Sequence, residues 1–437
     1  MNPGTLTILL FIGVLLSFAI GTPVGFALGG VAMLFGAFVW GPQAFYIIPH
    51  AAMGGLTNFI LLAIPLFIFM GQILLRSGMG ESMFHAIHIL AGRLRGGLAI
   101  GVILMCTLMS AMVGIIGAGI MTAGTVAIPP MLRRGYDKTL TLGSVMAGGG
   151  MGILIPPSIT MIVFSSVTNA SLGKMFAGGL LPGLLMSSLF IVYIAVRCGI
   201  NPEMGPPLPS EERGSAKDKL MALRDAALAF GLIFVVLGSI LFGAATPTEA
   251  AAVGAVGAIL VTLVYRHFSF KVVKEASLNC MRLTAMVVWI IIGASTFSAF
   301  HMLMGAGKML TSLLGQWNVG PWGVIILMQA SLLILGCIMD EFIIVLICAP
   351  LYTPIAVNLG FDPIWFGILM ILNMEIAIQT PPYGFALFYL KGVAPEGTTM
   401  LEIYKSIIPF VGVKFVVLIT CMVFPGIVTY LPNLLFP

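Results

Sequence analysis

The sequence predicts an all-α polytopic membrane protein made of two inverted-topology repeats, each with five spans and one re-entrant helical hairpin. Three observations lead there. The chain is 59% hydrophobic and only 8% charged, with a mean hydropathy of +1.13; soluble domains carry about 25% charged residues. That deficit excludes a soluble globular protein, a disordered chain and a nucleic-acid binder. Its apolar runs are continuous over about twenty residues, whereas strands of a membrane barrel would alternate over about ten. Finally, landmarks in the first half recur in the second at nearly one offset. The 53 glycines and 26 prolines suit transmembrane helices, which tolerate both better than soluble ones do.

The N-terminal MNPGTLTILLFIGVLL lacks the basic start and small-residue cleavage site of a signal peptide, so it reads as the first span. Spans are expected at 5–20, 22–41, 56–76, 139–167, 172–196, 225–243, 248–265, 283–303, 363–390 and 407–433. Two further stretches, 97–130 and 318–356, are too long for one helix. Gly114, Gly117 and Gly119 interrupt the first near its middle, and Asp340-Glu341 interrupts the second. Two half-length helices meeting at a mid-membrane turn fit both, provided that protein or a water-filled cavity satisfies the tip. Segments 79–92 and 266–278 mix charged and apolar residues and are expected to lie along the interface.

Shifted by 225 residues, Pro129 falls on Pro354, Gly135-Tyr136-Asp137 on Gly360-Phe361-Asp362, and Pro156-Pro157 on Pro381-Pro382; at 224, Thr22-Pro23 falls on Thr246-Pro247. This divides the chain into repeat one (1–197), a linker (198–224) and repeat two (225–437). Five spans per repeat turn the second copy upside down, an arrangement characteristic of secondary transporters. The linker carries Arg213, Lys217, Lys219 and Arg224, which places it in the cytoplasm. Both termini are then periplasmic, and only Lys174 and Lys308 fall clearly outside.

Chemistry concentrates at the interruptions. Gly148-Gly149-Gly150 and then Pro156-Pro157 break span 139–167, because proline removes a backbone donor and clashes with the preceding turn. Freed carbonyls such as that of Gly150 can coordinate a cation. The new helix start beyond Pro157 offers N–H groups to an anion, with the hydroxyls of Ser158 and Thr160 beside them. The second copy has Asn373, Glu375, Gln379 and Thr380 before Pro381-Pro382. A simple proline kink is the bland reading of either break. Asp340, Glu341 and Glu375 are acids at membrane depth, where ionisable groups are costly. Asp340 can cap the second half-helix, ligate Na⁺, or do both. Glu375 is a cation ligand, a proton carrier or a buried hydrogen-bonded acid. Glu249, following Thr246-Pro247, suits a dipole-stabilised first turn. Ser110 and Thr122 flank the glycine turn of hairpin one. The six cysteines form no CxxC and read as small core residues. His85 and His88, at i and i+3, have no third metal ligand near them. There is no Walker loop, GxSxG or HExxH, so the chain is not expected to be an enzyme, and uphill transport would draw on an ion gradient.

The stretches SAMVGIIGAGIMTAGTVAIPPMLRRGYDKTLTLGSVMAGGGMGILIPPS (110–158), SLGKMFAGGLLPG (171–183), ATPTEAAAVGAVGAIL (245–260), IMDEFIIVLICAPLYTPIA (338–356) and LNMEIAIQTPPYGFALFYL (372–390) resemble the large membrane (DctM-like) subunit of tripartite ATP-independent periplasmic, or TRAP, transporters. The resemblance covers nearly the whole chain. It implies Na⁺-coupled import of an organic acid, commonly a carboxylate, across the bacterial inner membrane. A periplasmic solute-binding protein would deliver the solute, and a small four-helix membrane subunit would pack against this one in the lipid bilayer. It further implies a mobile transport domain moving as an elevator against a scaffold. The ion and solute regions would be the hairpin tips and the two broken helices: Ser110, Gly114, Gly117 and Thr122; Gly150, Pro156, Pro157, Ser158 and Thr160; Asp340; and Asn373, Glu375, Thr380, Pro381 and Pro382. Na⁺ would sit near Gly114, Asp340 and Thr380. Many relatives carry a serine-rich tip in hairpin one, where this chain has Val113-Gly114-Ile115-Ile116; the tip can then offer backbone carbonyls but not those hydroxyls. A stand-alone Na⁺:carboxylate symporter and an intramembrane enzyme are the competing readings. The enzyme would need paired catalytic groups at membrane depth.

Overall fold

The computed structural model describes residues 3–91, 93–209, 216–305, 320–381 and 384–436. Among them there is no strand. Helices α1 (Pro3–Ala19) and α2 (Val24–Trp40) form the first pair, and α3 (Ala44–Leu56) and α4 (Ala63–Arg76) follow. α5 (Met79–Ala91) leads into α6 (Gly97–Val113) and α7 (Ile116–Arg133). Next come α8 (Lys138–Gly150), α9 (Ile159–Thr168) and the long α10 (Leu172–Ile200). The second half comprises α11 (Ala216–Leu241), α12 (Pro247–Val264), α13 (Phe270–Leu303), α14 (Pro321–Gly336), α15 (Glu341–Asn358), α16 (Pro363–Ala377), α17 (Phe385–Val393), α18 (Met400–Val423) and α19 (Gly426–Leu435).

Seven helical segments among the described residues are long and apolar enough to cross a membrane, which makes this a multi-pass membrane protein. The ranges 139–167 and 363–390 each resolve into two shorter helices, because each contains a break.

Matched sequence landmarks build matched local structure. Gly135 (φ 75°) and Gly360 (φ 88°) take the left-handed turn that ends α7 and α15. Two residues later, Asp137 and Asp362 cap α8 and α16, accepting from the N–H of Leu140 at 2.9 Å and of Trp365 at 2.8 Å. Thr246 and Glu249 form a reciprocal capping box at the start of α12, the dipole-stabilised structural role expected for Glu249.

Both long stretches divide into two arms at the expected interruption: α6, α7, α14 and α15 have 17, 18, 16 and 18 residues, or roughly 24–27 Å at 1.5 Å rise per residue. Two expectations need correction. Segment 266–278 is not separate; it continues into 283–303 as the 34-residue α13, with no proline between Phe270 and Leu303 to stop it. Range 407–433 is two helices, interrupted at Phe424-Pro425. Helix α3 fills the stretch between the expected spans 22–41 and 56–76 and carries Pro49 inside it.

The elements sort into two packed groups. α1–α4 and α11–α13 pack together, with α13 lying along α2, α3 and α4, and α12 on α4. α6–α10 and α14–α19 form the other group. Within it the second arm of each hairpin packs on a half-helix from the other half of the chain, α7 on α17 and α15 on α9.

α2 and α13 cross at backbone contact. A Cβ on Gly293 would lie 2.0 Å from the Gly25 carbonyl oxygen, and one on Gly25 would lie 2.4 Å from the Trp289 carbonyl oxygen. Small residues permit such approach where lipid supplies no hydrophobic drive between helices. Gly293→Ala is therefore expected to cost about 3 kcal/mol, the upper end for overpacking, because backbone rather than a side chain must move. A lower melting temperature and less assembled protein in membranes would report it; a melting temperature equal to wild type would contradict the tight crossing.

Candidate functional site at the helix breaks

α6 ends at Gly114, which adopts φ 64° and donates its N–H to the Ser110 carbonyl at 3.2 Å; Ile115, extended, starts α7. This turn rests on the first break: a Cβ at Gly114 would lie 2.6 Å from the Pro157 carbonyl oxygen. The break itself runs from the end of α8 through a single turn at Met151–Ile153 and the two prolines to α9. Ser158 caps α9, accepting from the Met161 N–H at 3.3 Å and donating to the Ile153 carbonyl at 2.6 Å. Its hydroxyl is thus occupied in holding the break. Thr160 Oγ1 is buried without a hydrogen-bond partner.

The second break lies between α16 and α17. Thr380 donates its hydroxyl to the Ile376 carbonyl at 2.6 Å, and Pro381 follows in the turn; Pro382 lies outside the described residues. Asn373 donates its amide to the Gln329 carbonyl and to Gln329 Oε1, each at 2.8 Å, which ties α16 to the first arm of hairpin two. Asn373 Oδ1 is left without a partner. Asp340 caps α15 by accepting from the Phe342 N–H at 3.0 Å.

The two halves meet here. A Cβ at Gly117 would lie 2.8 Å from the Tyr389 ring, and one at Gly150 would lie 1.6 Å from Gln379 Nε2. Side chains of the second half therefore fill space that only these two glycines leave open. Tyr389 also lines the same cavity as Asp340. Ser110, Gly114, Gly117, Gly150, Pro156, Pro157, Ser158, Thr160, Asp340, Asn373, Glu375, Thr380 and Pro381 thus belong to one region of hairpin turns and breaks. Thr122 does not. It lies farther along α7 and faces α5, with its methyl 3.3 Å from where a Gly80 Cβ would be.

A cavity of about 540 Å³ opens beside this region. Asp340, Phe385 and Tyr389 line one side; Thr22, Phe26 and Trp289 of the α1–α2 turn, α2 and α13 line the other. It therefore lies between the two packed groups at this end of their interface; elsewhere they touch directly, with Ser298 of α13 donating to the Leu346 carbonyl of α15 at 3.0 Å.

Sequence reasoning missed Lys414. It lies on α18 with 0% of its side chain exposed, and its Nζ is 3.0 Å from Glu375 Oε1, also 0% exposed. The ammonium donates to Gln379 Oε1 at 2.7 Å. Glu375 is thus buried beside a lysine, with no hydrogen bond to either carboxylate oxygen among the described residues, a setting compatible with each of the three roles open to it. A lone lysine inside the apolar run 407–433 was the available signal, since an unpaired charge at that depth costs about 2.5–3.5 kcal/mol or more.

No group of three or more His, Cys, Asp or Glu side chains among the described residues could hold a metal ion. Thr160 Oγ1 and Asn373 Oδ1, buried without a hydrogen-bond partner, are neutral oxygens that the region offers a cation. Hard cations take such oxygen ligands.

Residues 11–427 match the family model of the tripartite ATP-independent periplasmic transporter, DctM component. The C4-dicarboxylate TRAP transporter large permease protein DctM of Pseudomonas aeruginosa is 36% identical over 86% of this chain and 87% of its own. Its counterpart in Vibrio cholerae is 34% identical over 98% and 97%. The sialic acid TRAP transporter large permease protein SiaM of Vibrio cholerae is 29% identical over 95% of each. In fold, the chain is similar to the YdaH transporter of Alcanivorax borkumensis (TM-score 0.63, 16% identity, 98% of each chain). It is likewise similar to MtrF of Neisseria gonorrhoeae (TM-score 0.61, 12% identity, 89% of this chain and 85% of that one). With its permease relatives and a match over nearly its whole length, the chain belongs to the DctM family of large membrane components of tripartite ATP-independent periplasmic transporters, and is a transport protein rather than an enzyme.

Proposed function

We propose that this protein imports an organic acid across the bacterial inner membrane by Na⁺ symport, working with a periplasmic solute-binding protein and a small four-helix membrane subunit. One observation carries the reading: both hairpin turns and both helix breaks converge, and a cavity lies between the hairpin two turn with α17 and the facing residues of α1, α2 and α13. Carboxylate is the solute class, in keeping with the C4-dicarboxylate and sialic acid named for its relatives. Helix starts after the breaks offer N–H groups to a carboxylate. Oxygens near Gly114, Asp340 and Thr380, the Asp340 carboxylate among them, suit Na⁺. The hairpins, α8–α9 and α16–α17 would move as one body, an elevator carrying ion and solute past a scaffold of α1–α4 and α11–α13. In this reading the two groups are the mobile and fixed parts of two inverted repeats, the linker 198–224 is cytoplasmic and both termini are periplasmic.

Reconstitution tests it. Vesicles holding this subunit and its small membrane partner, given a labelled C4-dicarboxylate and the binding protein, should accumulate solute when Na⁺ is high outside. Omitting the binding protein or the small subunit should reduce uptake to background. Full uptake by this subunit alone would instead establish the stand-alone symporter.

A further inference from the structure

We infer that Lys414, Glu375 and Gln379 are positioning residues that hold the two helix breaks in register, and that this register sets the affinity for the coupling cation. The inference rests on the Na⁺-coupled reading above and deepens it. All three side chains are buried. Lys414 reaches from α18 to the last turn of α16, where it meets Glu375 at 3.0 Å, and to the second residue beyond that helix, where it donates to Gln379 at 2.7 Å. A cation beside a helix C-terminus is favourable, since the helix dipole is negative there. Gln379 extends the contact to the first half by packing: its Nε2, without a hydrogen-bond partner, occupies the space beside Gly150, the last residue of α8. One chain of contacts, Lys414–Gln379–Gly150, therefore joins α18 to both breaks.

The fold alone does not demand charge at this place. Under the 225-residue offset, the counterparts of Glu375, Gln379 and Lys414 are Gly150, Leu154 and Leu189. Repeat one builds its break with no charge at those positions. A buried ion pair is also weak as a device for stability, because desolvation offsets its attraction, whereas it can enforce one arrangement over others. Glu375 neutralises Lys414, so the pair brings geometry to the breaks without adding net charge that would repel an incoming cation. Thr380, proposed to face Na⁺, is the next residue after Gln379. Any loosening of Gln379 shifts that hydroxyl and the carbonyls beside it.

The test uses the purified full chain and Na⁺ alone as probe. Its melting temperature is followed as NaCl replaces choline chloride at constant ionic strength. The wild type should show a saturable, Na⁺-specific rise. The double variant Glu375→Gln/Lys414→Met keeps the net charge of the site, so it separates lost register from lost charge. Gln379→Met keeps side-chain size and removes only the link, and it decides the matter if the double variant does not assemble. Each is expected to raise the half-saturating Na⁺ concentration by about ten-fold or more, the scale on which small misplacements act. The melting temperature in choline alone should stay near that of the wild type. Wild-type half-saturation in these variants would reduce the three residues to packing and overturn the inference alone. Absence of a Na⁺-specific rise in the wild type would overturn the coupled reading itself.

Discussion

Transport should stop when the hairpin two tip is tethered to α2, and resume when the tether is cut. Phe26 on α2 and Ile338 beside Asp340 line the same cavity from its two sides. Sliding of one packed group past the other must separate them. A background without native thiols is accessible, since all six cysteines are free and none forms a disulfide. Cysteines placed at positions 26 and 338 and joined by a short cleavable bifunctional reagent should abolish uptake, and reduction of the reagent should restore it. The same reagent on either single-cysteine protein should leave uptake intact. Full uptake with the tether in place would refute a moving domain at this boundary.

Replacement of Asp340 by asparagine should have the next largest effect. Asparagine caps a helix about as well as aspartate, so α15 should still start at Glu341 and the protein should assemble. Lost is the charge at the hairpin turn, beside the cavity that Tyr389 also lines. Na⁺-dependent uptake should fall roughly 30-fold, equivalent to about 2 kcal/mol for removing a charge contact from a desolvated site. Unchanged uptake rate and half-saturating Na⁺ in D340N would leave Asp340 with its capping role only.

Legibility followed local chemistry. The Gly-aromatic-Asp triplets could be read because each does its whole work within a few residues: a left-handed glycine ends one helix and an aspartate caps the next. Both breaks fell where prolines remove donors, and the hairpin one turn fell at Gly114. Lengths were harder. The arms extend well past their turns because Pro129, Pro130, Pro350 and Pro354 sit inside α7 and α15 without ending them; neighbouring helices stabilise what propensity would stop. Pro425 did signal the break before α19, yet the apolar run across it is continuous and hides it. Contacts between distant segments were out of reach. Tyr389 on Gly117, Gln379 on Gly150 and Lys414 on Glu375 arise from packing between elements, and no periodicity in a single segment encodes them. Thr122 shows the same limit in reverse. Its proximity to the glycine turn along the chain suggested a site role, but its place on α7 turns it toward α5.

Counting labelled Na⁺ and labelled solute in the same vesicles tests the proposed coupling most directly. With the binding protein, the small subunit and this subunit all present, Na⁺ entry should depend on solute and solute entry on Na⁺, in a fixed ratio that survives changes in either gradient. D340N should depress both together. Solute that enters at the full rate with no accompanying Na⁺, or under a proton gradient alone, would contradict the account.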